Sequence, residues 1–130
     1  MNEEQLKARL KALALRVLRL VGSLPRSVEG QAIARQLVRC GTSVGANYRS
    51  ACRARSKAEF VARLAIAEEE ADECAYWLEL IIEGNIMKKK QVDPLLRETN
   101  EIVAILTASR KSASGRESKI KDRKSKIGGD

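Results

Sequence analysis

Apolar residues return along this chain at three- and four-residue intervals in four separate blocks, the spacing of one helical face. In the first block Leu6, Leu10, Leu13, Val17, Leu20 and Leu24 predict a helix over 3–21. Gly22-Ser23-Leu24-Pro25 ends it, because Gly suits a C-terminal cap and Pro25 disfavours helix at the residue before it. Ser27 opens a second helix over 27–54 whose buried stripe is Ile33, Leu37, Cys40, Val44, Tyr48 and Ala51, with Gly30 a weak point in its first turn. Ser56 followed by Glu59 is a capping box for a third helix over 57–84. There Phe60, Leu64, Ala67, Ala71, Cys74, Leu78 and Ile81 keep a heptad rhythm that favours shallow crossing angles, until Gly84-Asn85 stops the helix. Val92, Leu95, Leu96, Thr99, Ile102, Val103 and Leu106 predict a fourth helix over 91–109, with Pro94 admissible only in its first turn.

Short links make consecutive helices antiparallel, so residues 1–109 read as an all-α, up-down-up-down four-helix bundle. From Arg110 the periodicity stops. Residues 110–130 hold eight Lys/Arg against three acids, together with Gly115, Gly128 and Gly129, and read as a basic tail that stays disordered unless a partner orders it.

Composition narrows the chemistry. The 130 residues suit one domain, and only four are aromatic, which argues against a β-sandwich or barrel. There is no His, which removes His-based acid–base catalysis and most zinc sites. Glu69, Glu70 and Glu73 have the spacing of paired carboxylates, but di-metal bundles also need Glu-x-x-His, so a solvated acidic face is expected. Cys40, Cys52 and Cys74 are odd in number and match no metal spacing, and Cys40 and Cys74 fall on core stripes as inert thiols. Ser43 has no nominated base. The expectation is a non-enzymatic protein with no cofactor and no metal. Met1 leads directly into charged residues, and the apolar runs are short, so a reduced, cytoplasmic, non-membrane setting is expected.

Charge is unevenly placed. Residues 1–57 carry 12 basic and 3 acidic side chains, whereas residues 58–87 carry one basic and eight acidic. Helices 1 and 2 are thus basic and helix 3 acidic. At 100° per residue, Arg35, Arg39, Arg49 and Arg53 share one side of helix 2 with Thr42 and Ala46, and Arg9, Arg16 and Arg19 line one flank of helix 1. Arg9, Arg16, Arg19, Arg35, Arg49 and Arg53 form a candidate phosphate-binding surface; the alternative is a solvated face with some arginines paired to helix 3. Arg39 stands toward the core edge and is expected to pair internally. The acidic row Glu68, Asp72, Glu79 and Glu83 keeps nucleic acid off helix 3 and suits a basic row on a neighbouring subunit.

The aliphatic core is lean, and lean helical cores often complete themselves by oligomerising. Gly41 and Gly45, each costing about 1 kcal/mol in a helix relative to Ala, suggest close backbone approach. Together with Leu15, Leu18, Ile66 and Trp77, which lie off the core stripes, they are assigned to a homo-oligomer interface.

The run Arg39-Cys40-Gly41-Thr42-Ser43-Val44-Gly45-Ala46-Asn47-Tyr48-Arg49 resembles a known family, as do Ser56-Lys57-Ala58-Glu59-Phe60 and Glu68-Glu69-Glu70-Ala71-Asp72-Glu73 followed by Tyr76-Trp77-Leu78-Glu79-Leu80. The family comprises bacterial four-helix bundle proteins named after those encoded in intervening sequences of large-subunit (23S) rRNA genes, and the likeness covers about residues 6–108. It implies a barrel-like homopentamer. A more distant relative, the accessory variability protein of diversity-generating retroelements, forms such a pentamer and binds nucleic acid and its reverse transcriptase. The resemblance also groups Arg39, Ser43 and Asn47 with Glu69 and Glu73 as a structural polar network rather than a ligand site. The functional expectation is an oligomer that binds RNA or DNA with low sequence specificity through its basic surface. The alternative is a scaffold or adaptor for a partner enzyme such as a reverse transcriptase.

Overall fold

The computed structural model describes the backbone of residues 1–128 and the side chains of residues 1–115. It contains four helices, α1 (Glu3–Val21), α2 (Val28–Cys52), α3 (Lys57–Glu83) and α4 (Lys89–Gly128), and no strand among the described residues. Each of the first three starts where the sequence supplies a cap: Asn2 accepts from the Gln5 amide, Ser27 from Gly30 and Ser56 from Glu59. Asn2 and Gln5 complete a reciprocal capping box. At the end of α3 it is Asn85, not Gly84, that takes the left-handed conformation (φ 54°), while the Ile86 amide reaches back to the Ile81 carbonyl at 2.9 Å. Gly30 has a positive reason to be glycine: a Cβ there would run into the Pro25 carbonyl of the α1–α2 turn.

The predicted stripes make the core. Leu10, Leu13, Val17, Leu37, Cys40, Val44, Leu64, Ala67, Ala71, Cys74, Leu78, Ile81, Val92, Ile102 and Leu106 are fully shielded. Thr99 is buried among them because its hydroxyl donates to the Leu95 carbonyl at 2.7 Å, leaving no orphan polar atom. The broadest contacts run α2 on α3 and α3 on α4, and α1 meets α4 over the narrowest strip.

The α1–α2 seam is tight at Gly41. A Cβ on Gly41 would stand 2.8 and 2.9 Å from the two Val17 methyls, and one on Gly45 would stand 3.4 Å from Leu10 Cβ. Gly41, which is buried, therefore serves the packing of α1 against α2 within one chain, which corrects its assignment to a subunit interface; Gly45 is half-buried and lies against Leu10 at the edge of an open groove. Glycine spacing on one flank signals close approach, but not whether the approaching helix belongs to the same chain.

A second difference concerns the end of α4. The helix does not stop at 109 but continues to Gly128, through the segment read as a basic tail. Lys, Arg and Glu have high helix propensity, so the backbone stays helical past the end of the apolar stripe; the last two residues of the predicted tail, Gly129 and Asp130, lie outside the described residues. Arg110 is half-buried on the bundle rather than part of a separate tail.

The two glycines make opposite predictions. Gly41→Ala presses on a β-branched, buried Val17 that has no free rotamer; overpacking of about 1–3 kcal/mol outweighs a helix-propensity gain of about 1 kcal/mol. Gly45→Ala meets only an ordinary contact and raises stability by about 0.5–1 kcal/mol. Urea denaturation midpoints should therefore move in opposite directions for the two variants.

Candidate nucleic-acid interface

Whether an arginine is free for a ligand depends on what the adjacent helix offers. Arg9 faces α4, where Glu98 and Glu101 stand one turn apart. Its Nε and Nη2 donate to the two Glu98 oxygens at 2.8 and 2.6 Å, and Nη2 also meets Glu101 Oε2 at 2.5 Å. This forked pair lies in a partly buried seam, so Arg9 belongs to the bundle and not to a phosphate-binding row. Arg39 donates to Glu70 at 3.0 Å and to Glu73, and Glu73 accepts from the Trp77 indole at 3.3 Å. Arg110 donates to Glu68, which also accepts from the Thr107 hydroxyl at 2.8 Å. One arginine–glutamate cluster therefore stands at each of the α1–α4, α2–α3 and α3–α4 seams.

The expected polar network forms only in part. Ser43 Oγ donates to the Arg39 carbonyl at 2.6 Å and Asn47 Nδ2 to the Ser43 carbonyl at 2.9 Å, so both turn back onto their own helix. Glu69 is exposed and Glu70 takes the arginine, because Glu70 and Glu73 share the α3 flank that faces α2, whereas Glu69 lies about 100° further round. The Arg9 guanidinium holds the Glu98 carboxyl below the usual carboxylate range, and Arg110 does the same to Glu68. The neighbouring Cys40 thiol, and then burial, push Cys74 upward, and both thiols are shielded in the core.

Five of the six nominated arginines have no carboxylate within ion-pair distance among the described residues: Arg16, Arg19, Arg35, Arg49 and Arg53. Arg16 is half-buried and the other four are exposed. Arg49 and Arg53 flank an open groove of about 650 Å³ between α1 and α2, with Lys7 and Lys11 on the α1 side and Ala8, Leu15, Gly45 and Ala46 along it. Toward the opposite end, Arg16 and Arg19 line a smaller hollow with Ser23, Met87 and Gln91. The arginine rows on helices 1 and 2 leave out Lys88 and Lys89, which line the adjoining cleft.

Leu15, Leu18 and Ile66 are 49%, 45% and 39% exposed, so the one-chain bundle leaves them outside its core. Tyr76, 54% exposed, packs edge-on against half-buried Trp77 and joins this set without having been singled out. Among the described residues no group of three or more Cys, Asp or Glu is placed to hold a metal ion, and no helix is long and apolar enough to cross a membrane.

The helices and seams define a four-helix bundle protein. Residues 4–108 match the profile of the 23S rRNA-intervening sequence protein family, and the chain belongs to that family. A crystal structure of a protein of unknown function from the S23 ribosomal protein family of Bacteroides thetaiotaomicron is similar at 34% identity and a TM-score of 0.76, covering 82% of this chain and 98% of that one. No curated protein matches the chain.

The seam pairs predict acid sensitivity. Glu98 and Glu68 are held below their ordinary value of 4.5 by folded-state partners, so their stabilisation is present above that pH and is lost as pH falls through the depressed value. Arg9→Gln should cost about 1 kcal/mol at neutral pH and flatten the stability loss as pH falls below the ordinary glutamate value, read from urea unfolding at each pH.

Proposed function

We propose that the protein is a non-enzymatic homo-oligomer that binds RNA or DNA with low sequence specificity. The observation that carries this reading is the division among its arginines: Arg9, Arg39 and Arg110 are held at seams, whereas Arg16, Arg19, Arg35, Arg49 and Arg53 are not. An unpaired guanidinium on an exposed helix face suits a phosphate oxygen and reads no base. The net charge of +8 supports the same partner class.

The exposed Leu15 and Leu18 on α1, and Ile66 and Tyr76 on α3, support self-association, since each helix keeps large apolar side chains that one copy does not bury. Their neighbours are complementary in sign: the α1–α2 groove is mainly basic, and the outer face of α3 carries exposed Glu69, Asp72 and Glu79. Opposite faces of one chain that fit each other give head-to-tail contacts, which close into rings. The barrel-like homopentamer expected from the family resemblance is one such ring, and repetition of the arginine row around it adds avidity.

Gel shifts with single-stranded RNA and duplex DNA across ionic strength test the reading. Affinity should fall steeply with salt; absence of binding at low salt, or binding indifferent to salt, overturns it. The triple variant Arg35→Gln/Arg49→Gln/Arg53→Gln should weaken binding about tenfold or more at moderate salt, whereas Arg9→Gln leaves it unchanged. Light scattering should return a multiple of 14.4 kDa.

A further inference from the structure

Among the described residues, four cations without an ion-pair partner gather at the end of the bundle where the α1–α2 and α3–α4 connections meet. Two hollows adjoin there and share Ser23, Met87 and Gln91. Arg16 and Arg19 wall one, Lys88 and Lys89 the other, and no Asp or Glu lines either. Asp93, the nearest acid in sequence on α4, is held by Arg97 at 2.8 Å. The α1–α2 groove differs, since Glu4 lines it and Lys7 there is bound to Glu3 and Glu4.

We infer that this loop end is a phosphate-binding site for the sugar–phosphate backbone of a nucleic acid strand, with Arg16, Arg19, Lys88 and Lys89 as its cations. The inference rests on the proposed nucleic-acid reading and deepens it by placing the main contact. Arg16 and Arg19 stand one turn apart on α1, about 4.5 Å in rise, and the lysines face them across Ser23 and Gln91. A polymer bearing an anion at each repeat meets a cation in both hollows, with hydroxyl and amide groups between them for phosphate and sugar oxygens. No aromatic ring lines the cleft and the cations carry no base-reading geometry, so contact is with the backbone, without sequence preference.

The test compares the full chain with Arg16→Gln/Arg19→Gln/Lys88→Gln/Lys89→Gln and with a charge-matched control, Arg55→Gln/Lys57→Gln/Arg63→Gln/Lys111→Gln, whose cations stand away from the loop end and line neither hollow. Affinity for a labelled single-stranded RNA is followed against salt, with unlabelled RNA and poly-glutamate as competitors and circular dichroism as the check on folding. The loop-end variant, folded, should lose about 3 units of log–log salt slope and at least tenfold in affinity, while the control changes much less. Equal effects of the two variants, with the parent chain binding RNA normally, overturn this placement and leave the broader reading standing. A parent chain that binds no nucleic acid overturns both. Displacement of RNA by poly-glutamate as readily as by RNA overturns the phosphodiester assignment in favour of an acidic protein partner.

Discussion

A guanidinium at a helix seam is either met by a carboxylate from the next helix or left to solvent, and this division organises the molecule. Arg9, Arg39 and Arg110 each reach a glutamate on the neighbouring helix, and between them they tie three of the four seams. The pairs are partly exposed, so each contributes modestly to stability. Arg9 and Arg39 also act on register, because each guanidinium meets two carboxylates one turn apart on the facing helix, which favours one axial position. The fourth seam, α1 on α2, has no such pair between its helices among the described residues. There the absence of a side chain at Gly41 lets Val17 approach, and shape does what charge does elsewhere.

The core explains why the surface looks as it does. Its residues are aliphatic and small, with Ala67, Ala71 and Cys74 on the inward stripe of α3, so the helices pack closely and a narrow strip of each is buried. Leu15 and Leu18 on α1 and Ile66 and Tyr76 on α3 lie outside those strips, and in one copy they remain exposed. The bundle thus carries apolar residues on two faces, with charge of opposite sign around them.

The two basic regions differ in kind. Two of the α2 arginines, Arg49 and Arg53, border the α1–α2 groove, where apolar Leu15 and Ala46 and the acid Glu4 also stand. The loop end has charge without acidic lining and stands at the tip of the bundle. In a ring of parallel copies such tips share one side, and side-by-side contacts leave them uncovered.

Much of this was legible in the sequence. The 3–4 spacing of leucines in α1, the heptad of α3 and the caps at Ser27 and Ser56 report short-range physics, and they set the helices and the inward residues. The pairing of Arg39 was also within reach, because its angle on α2 puts it near the core edge. Other outcomes depended on which residue lies opposite. Arg9 and Arg16 share a flank of α1, yet Arg9 alone meets the Glu98–Glu101 turn, nearly ninety residues away. Gly41 announces a close contact but not that Val17 of the same chain makes it, and Lys88 and Lys89 look like a linker until the loop end brings them to Arg16 and Arg19. Periodicity is a property of one helix and is written in its own residues. The partner across a seam is fixed by axial register between helices, which only the packed chain decides.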